Sequence, residues 1–461
     1  MNINPQNQDT IPEAESPVTL LALVIREDSE SCARWIKDSH LSDVVHDVSQ
    51  LSEEQRARLI ELLPSEQAAE LLERLPMPQA VEGIEGIETS KAAEIIEQLH
   101  SDDQADLIAE LDDEDAQRII GQLDEAVAEN LRRLAAYAPD SAGGLMVTEY
   151  LAYTRAQSIQ DVLDDMERNA TRYAKFNVQY TYVINELGVV IGVLPIRRLM
   201  LAPRDSQLES VMIPDPITIN EETLLDDFQG DFSEHDYIGF PVVDATGRLQ
   251  GVLERSAFEH ALSDQADSLY RQTQGIVGGE ELRSMPVLLR AKRRLMWLSS
   301  NIGLNLVAAS VIAMHQDTIE AVIALAVFLP IISDMSGCSG NQAVAVSMRE
   351  LTLGVARPSD IYRVIFKEAS VGIINGIVLG LIIGLVAFAW KGNPYLGGVV
   401  GLALMLNTVI AVMIGGSVPL VLKGLKLDPA LASGPILTTV TDLCGFLLVL
   451  TLASNALDYL Q

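Results

Sequence analysis

Asp442 lies 14 residues into an apolar stretch that runs from about Pro429 to Leu457, and Asp334 interrupts another from about Ile319 to Val344. A carboxylate at such depth costs several kcal/mol to place in hydrocarbon, so it faces a partner, a wet cavity or an ion path. Thr438, Thr439 and Thr441 bring further oxygen atoms close to Asp442. A few carboxylate, hydroxyl and carbonyl oxygens around an ion that keeps most of its water suit a small divalent cation, which demands octahedral oxygen geometry and dehydrates reluctantly. The structural alternative is a carboxylate tied to Thr, Ser or Asn on a neighbouring helix. Near Asp334, Gly337 and Gly340 permit close helix packing, while Asn341 and Gln342 can line a polar path or bond between helices.

Groups at this depth need membrane-crossing elements to hold them. About 20 apolar residues cross the ~30 Å of hydrocarbon. Leu295 to Met314 is free of charge for 20 residues, Ala369 to Trp390 for 22 and Gly392 to Leu422 for 31, the last enough for one tilted or Pro-broken helix around Pro419. With the two stretches that carry Asp334 and Asp442, this makes five crossings. Lys and Arg near span ends stay on the cytoplasmic side. Arg290, Lys292, Arg293, Arg294, Arg349, Arg357, Arg363, Lys367, Lys423 and Lys426 fall in one set of loops, against only Lys391 in the other, so the N-terminus is expected inside and the C-terminus outside. On this reading Asp334 sits nearer the cytoplasmic end of its span, where an interfacial role fits equally well.

The rest of the chain has the opposite character. The 461 residues, enough for about three domains, include 64 Asp and Glu against 32 Lys and Arg, a net charge of -32, yet 48% are hydrophobic. The two properties separate along the chain: residues 1–284 carry about -34 and residues 285–461 about +2. Such an acidic part argues against binding nucleic-acid phosphates and for cations as partners. The first residues, MNINPQNQDTIPEAESP, have neither a basic start nor an apolar core, so no secretory signal is expected and the acidic part should stay in the cytoplasm. Cys32, Cys338 and Cys444 are too far apart for a CxxC zinc site or a disulfide framework. No nucleophile-base set or P-loop points to an enzyme.

Leu63, Leu75, Ile87, Leu99, Leu111 and Leu123 recur every 12 residues, each with an apolar residue three or four positions before it. Every unit reads as one short amphipathic helix, and helices this short bury their stripes only by stacking into an α-solenoid. Ser52 with Gln55, and Ser101 with Gln104, fit capping boxes at helix starts. From about Gly143 to Leu262 two related segments follow, with Met146 against Met212, Gly188 against Gly247 and Gly192 against Gly251. Each reads as strand, helix, strand, Gly turn, strand, helix, and the pair resembles tandem CBS domains, α/β regulatory modules. Where nucleotide-binding modules of that kind carry Ser/Thr-x-x-Asp, this chain has Pro195-Ile196-Arg197-Arg198 and Glu254-Arg255-Ser256-Ala257, so adenosine nucleotide is not an expected ligand.

An acidic helical repeat, a CBS pair, a connecting helix and five spans, in that order, resemble the MgtE family of magnesium channels over nearly the whole chain. Tyr137 to Met146 looks like the family's entry to the first CBS domain, and Arg293, Arg294, Trp297 and Leu298 like its entry to the first span. Leu427-Asp428-Pro429-Ala430 with Gly434-Pro435, Thr438, Thr439 and Asp442 is similar to its last-span signature. The resemblance implies a homodimeric Mg²⁺ importer of the inner membrane, with Asp442 as the pore carboxylate and Thr438, Thr439, Thr441, Gly337, Asn341 and Gln342 lining the path. It implies a plug helix from about Ala257 to Gln274, in which Glu259, Asp264 and Asp267 join Asp334 and Asp442 as candidate Mg²⁺ ligands for gating or conduction. Cys338 stands where the family usually has Asn in its second span, and Ser256-Ala257 where it tends to have an Asp pair.

The expected architecture is therefore a multidomain membrane protein. Its parts are an N-terminal extension with first helices (1–50), the acidic α-solenoid (51–136), two CBS domains (137–205 and 206–262), a connecting plug region (263–294) and a five-helix transmembrane domain (295–461). The competing function is an H⁺- or Na⁺-coupled transporter of divalent cations with Asp442 as the coupling residue.

Overall fold

The computed structural model describes residues 20–174, 176–276, 279–352 and 354–460, and residues 1–19 of the expected N-terminal extension lie outside them. The chain forms two compact units, one ending at residue 263 with 282–284 added, the other comprising 264–281 and 285–461.

The first unit opens with ten helices among the described residues, α1 to α10: Leu20–Ile25, Ser29–Asp38, Leu41–Ser49, Glu53–Leu62, Ser65–Leu72, Met77–Glu85, Thr89–Ile96, Ser101–Glu110, Asp113–Ile120 and Glu125–Leu134. From α4 onward the helices start every 12 residues, the period of the leucine ladder. Leu63, Leu75, Leu99, Leu111 and Leu123 are buried where one helix hands over to the next. Helices pack on the next but one, α4 on α6, α5 on α7, α6 on α8, α7 on α9 and α8 on α10, so stacking buries stripes that no single turn pair could hide. Gly83 on α6 admits this approach, since a Cβ there would collide with Ile60 Cδ1 on α4. The capping box at Ser52 is present: the Gln55 amide N donates to Ser52 Oγ (3.3 Å) and the Ser52 N donates to Gln55 Oε1 (2.9 Å). The one expected at Ser101 is not. Ser101 Oγ instead donates to Glu149 Oε2 (2.7 Å) and accepts from the Thr148 N (2.8 Å), while Gln104 Nε2 donates to the Leu99 carbonyl (2.9 Å), so tertiary partners outcompete the local cap.

Two strand-helix units complete this part. The first has β1 (Leu151–Thr154), α11 (Ile159–Arg168), α12 (Ala170–Tyr173), β2 (Tyr180–Ile184), β3 (Val190–Pro195), α13 (Ile196–Leu201) and α14 (Leu208–Val211), followed by β4 (Ile213–Pro214). The second has β5 (Ile219–Asn220), α15 (Leu225–Glu234), β6 (Gly239–Val243), β7 (Leu249–Glu254) and the start of α16 (Arg255–Thr273), whose residues from 264 onward belong to the other unit. Sheet orders are β1-β2-β3-β4 and β5-β6-β7, each with one parallel pair followed by antiparallel pairing. Gly188 and Gly247 take the β2–β3 and β6–β7 turns at φ +80° and +83°, a region costly for a side chain. The aligned methionines cross over. Met146 packs against Gly251 of the second unit and Met212 against Gly192 of the first, where an added Cβ would collide with the methionine sulfur. Phe258 at the start of α16 stacks on Phe232 with ring centroids 4.2 Å apart.

The second unit holds α17 (Val287–Met314), α18 (Gln316–Ala321), α19 (Leu325–Thr352), α20 (Ile361–Lys391), α21 (Pro394–Gly424), α22 (Pro429–Asn455) and α23 (Leu457–Leu460). Among the described residues four helices are long and apolar enough to cross a membrane: Val287–Met314, Pro358–Lys391, Pro394–Gly424 and Gly434–Asn455. The fifth expected crossing, α19, matches them in length at 28 residues but not in apolarity, because Ser333, Asp334, Ser336, Ser339, Asn341 and Gln342 interrupt it. Its Ser336, Ser339 and Ser347 are buried in the bundle, which is how a less apolar helix is accommodated. α21 continues through Pro419 without a break. α20 and α21 approach backbone to backbone along glycines; a Cβ on Gly380 would lie 2.6 Å from the Gly401 carbonyl oxygen.

Asp334 lies earlier in its helix than the apolar stretch implies. The apolar stretch from about Ile319 placed Asp334 towards its C-terminal end, but the helix begins only at Leu325, so Asp334 is its tenth residue of 28. The first apolar residues of that stretch are spent in α18 and the turn after it.

Candidate functional site

Asp442 is half-buried on α22, and Ser333 Oγ on α19 donates to it. This is the kind of bond the structural alternative calls for, and it occupies one of the acceptor positions on two carboxylate oxygens. It also sets the height of α19: Asp334, next to Ser333, is level with Asp442 rather than nearer the other end of the bundle.

Thr438 and Thr439 precede Asp442 by one helical turn and share its face. Both line a cavity of about 530 Å³, together with Asn301 and Asn305 of α17, Asn341 of α19, Gly434 and Pro435 of α22, and Thr273 and Gln274 at the end of α16. Apolar side chains, Trp297, Leu304, Val344 and Met348 among them, make up the rest of the wall, so hydroxyl and amide oxygens line part of a space large enough for a hydrated ion, one turn from a carboxylate. Thr441 departs from the expectation. It is fully buried, its Oγ1 donates to the Thr438 carbonyl (3.0 Å), and its own carbonyl accepts from Asn407 Nδ2 (3.1 Å), so it belongs to the packing between helices. Gly337 faces the same seam, with only Thr441 Oγ1 near the position of a Cβ, at 3.9 Å. Asp334, Cys338, Asn341 and Gln342 are exposed at three- and four-residue intervals, forming one stripe along α19.

Glu259, Asp264 and Asp267 are exposed on α16, and Glu259 reaches Arg255 at 4.0 Å. Among the described residues no group of three or more His, Cys, Asp or Glu side chains is placed to hold a metal ion, so the five acidic residues singled out by sequence are not gathered into one cage. Sequence reasoning passed over Asn301, Asn305, Ser333 and Asn407. The first two were legible as amides four residues apart on one face of α17; Asn407 was a lone amide in a long uncharged run.

On the acidic side, burial and the neighbouring Asp103 and Glu149 push the Asp102 carboxyl up to about 7, against the pull of His100. Asp103 is pushed up to about 6 by burial, Glu73, Asp106 and Glu149. Both are raised above their unfolded values, so the folded state binds more protons between about pH 4 and 7 and its stability falls as pH rises through that window. We expect Asp102→Asn to flatten this fall and to stabilise the full chain in detergent at pH 8 by on the order of 2 kcal/mol. Thermal unfolding across pH 5 to 8 measures it, and a variant with the parent's profile would contradict the assignment.

The cleft between β2 and the strands β6 and β7 is narrow, enclosing about 20 Å³, with Glu149 and Glu254 among its walls.

Residues 329–452 match the MgtE family model, described as a divalent cation transporter; residues 39–140 match the MgtE intracellular N domain and residues 208–264 the CBS domain. The magnesium transporter MgtE of Bacillus subtilis is 30% identical over 322 residues, covering 70% of each chain. That of Thermus thermophilus is 32% identical over 329 residues, 70% of this chain and 72% of the relative. Among solved structures, the cytosolic domain of the Mg²⁺ channel MgtE in complex with ATP is 28% identical and covers 53% of this chain and 98% of its own, with a TM-score of 0.49.

Proposed function

Because the chain belongs to the MgtE family of magnesium transporters, we propose that it is a Mg²⁺ channel in which two copies meet across α19 and α22 and the two Asp442 carboxylates hold a hydrated ion between them. The observation that carries this reading is the polar stripe of α19. Asp334, Asn341 and Gln342 are exposed on a helix that lies among membrane-spanning ones. Lipid offers such groups no partners, and a charge facing it is expensive. A second copy with water between satisfies them. Thr438, exposed, lies one turn from Asp442 on the adjacent helix, and with Thr439 it also lines the cavity.

The excess of Lys and Arg in alternate loops argues for the N-terminus inside and the C-terminus outside the cytoplasmic membrane, which puts the cavity on the cytoplasmic side of Asp442. Thr273 and Gln274, at the end of the helix that carries Glu259, Asp264 and Asp267, lie at that mouth. Regulation through α16 follows: intracellular Mg²⁺ bridges acidic faces of the soluble unit and holds α16 in a closing position. Nucleotide has no part in this reading, since Glu149 and Glu254 line the cleft between the CBS units and would repel phosphates.

The test is Mg²⁺ uptake by liposomes containing the purified chain, with a Mg²⁺ gradient and no gradient of protons or sodium. Uptake is expected under these conditions. Uptake that appears only when a proton or sodium gradient is imposed would turn Asp442 into a coupling group and end the channel reading. Mass measurement of the same preparation should give two copies; monomer alone at micromolar concentration would remove the shared axis.

A further inference from the structure

We propose that Asn407 is the positioning residue for Asp442, setting the height and rotation at which the carboxylate meets the ion; the inference rests on Asp442 lying in the ion path. Asn407 is fully buried in α21, surrounded by a helix that is otherwise apolar over most of its length. Its Nδ2 donates to Ser336 Oγ on α19 (2.5 Å) and to the Thr441 carbonyl on α22 (3.1 Å). Both partners flank Asp442. Thr441 is its neighbour in the chain, and Ser336 lies one turn from Ser333, whose hydroxyl donates to Asp442. Ser336 Oγ in turn stands within hydrogen-bond distance of the Ile332 and Ser333 carbonyls, at 2.7 and 3.0 Å. A ring of bonds therefore runs from Asp442 through Ser333, Ser336, Asn407 and Thr441 back to Asp442, with three helices contributing.

Two further features show that the place is shaped for an amide. A Cβ at Gly445, the residue one turn after Thr441, would lie 2.7 Å from Asn407 Nδ2, so a larger residue there would push the amide from its place. Asn407 Oδ1 accepts no hydrogen bond among the described residues, which makes the amide costly to bury and argues that its donor side is what the site requires. A leucine would fill the volume without that cost. What it would not do is tie the backbone next to Asp442 to the helix that holds its carboxylate. For an ion that tolerates little departure from octahedral geometry, displacement of a ligand by a fraction of an ångström changes which ions pass.

The full chain in liposomes, with Mg²⁺ and the larger Ca²⁺ as probes, tests this. Flux per folded dimer should fall about tenfold for Mg²⁺ in Asn407→Ala, and the Mg²⁺ to Ca²⁺ flux ratio should fall with it, by about threefold or more. Ser336→Ala, which removes one acceptor and leaves Asn407 and Asp442 in place, should move the ratio the same way by less. A residue that only stabilises the bundle would lower both fluxes in equal proportion, and an unchanged ratio in these variants overturns the inference. If Asn407→Ala fails to fold, Ser336→Ala and Gly445→Ala, which crowds the amide, decide by the same ratio. Asp442→Asn in the same vesicles separates the two readings. Wild-type flux there removes Asp442 from the path, whereas lost flux there with a wild-type ratio in the Asn407 and Ser336 variants leaves the channel and removes only the positioning role.

Discussion

Asp442→Asn should reduce Mg²⁺ flux per folded chain by on the order of a thousandfold, because a unit charge about 4 Å from an ion is worth about 4 kcal/mol in a partly screened site and each 1.4 kcal/mol is about a factor of ten. The substitution is informative because of what it keeps. Asparagine has the same size and still offers an oxygen to the Ser333 hydroxyl, so a carboxylate that served only to tie α22 to α19 would be replaced at little cost. Loss of flux with retained thermal stability therefore assigns the charge to the ion. Asp334→Asn belongs beside it. Read from the apolar stretch alone, Asp334 sat towards the cytoplasmic face, where water would screen it; level with Asp442 and exposed on the stripe of α19, it should matter more, with a loss of about tenfold. Wild-type flux in Asp442→Asn, counted per folded chain, would take this carboxylate out of the ion path.

Raising Mg²⁺ from micromolar to millimolar on the side of the soluble unit should lower flux and slow proteolysis of residues 20–276 by about tenfold, which corresponds to ligand at roughly ten times its dissociation constant. The driving force is charge: residues 1–284 carry about -34, and a divalent ion bridges carboxylates that monovalent salt merely screens. Because no described group of three acidic side chains is placed to hold a metal ion within one chain, bridging would draw separate acidic faces together, and that movement is what α16 would transmit to Thr273 and Gln274 at the cavity. KCl at equal ionic strength is the control. Equal protection by KCl would mean screening alone and would end the sensor reading.

How far each feature could be read in advance depended on the range over which it is encoded. The 12-residue period of apolar residues is local, and the helices from Glu53 to Glu125 start on it without exception. The Gly turns of the two α/β units are local too, and Gly188 and Gly247 take the positive φ that makes glycine necessary there. The capping boxes divided: Ser52 kept its local partner, while Ser101 was claimed by Glu149 and Thr148, almost 50 residues away. The ends of α19 were not legible, because apolarity says which residues avoid water and not where a helix begins; Asp334 was misplaced in depth for that reason.

The sequence by itself determined the division into an acidic soluble part and an apolar part, the five long helical segments of the latter, and Asp442 as the group least at home in its surroundings. Composition and short-range periodicity carry all three, since burial, helix length and charge cost depend on residues a few positions apart. Only the tertiary structure decided which oxygens accompany that carboxylate: Thr438 and Thr439 towards a cavity, Thr441 into the packing, Ser333 onto Asp442, and Asn407 between two helices. Those bonds join residues 34 to 109 positions apart, and no periodicity within one helix specifies which face another helix will cover.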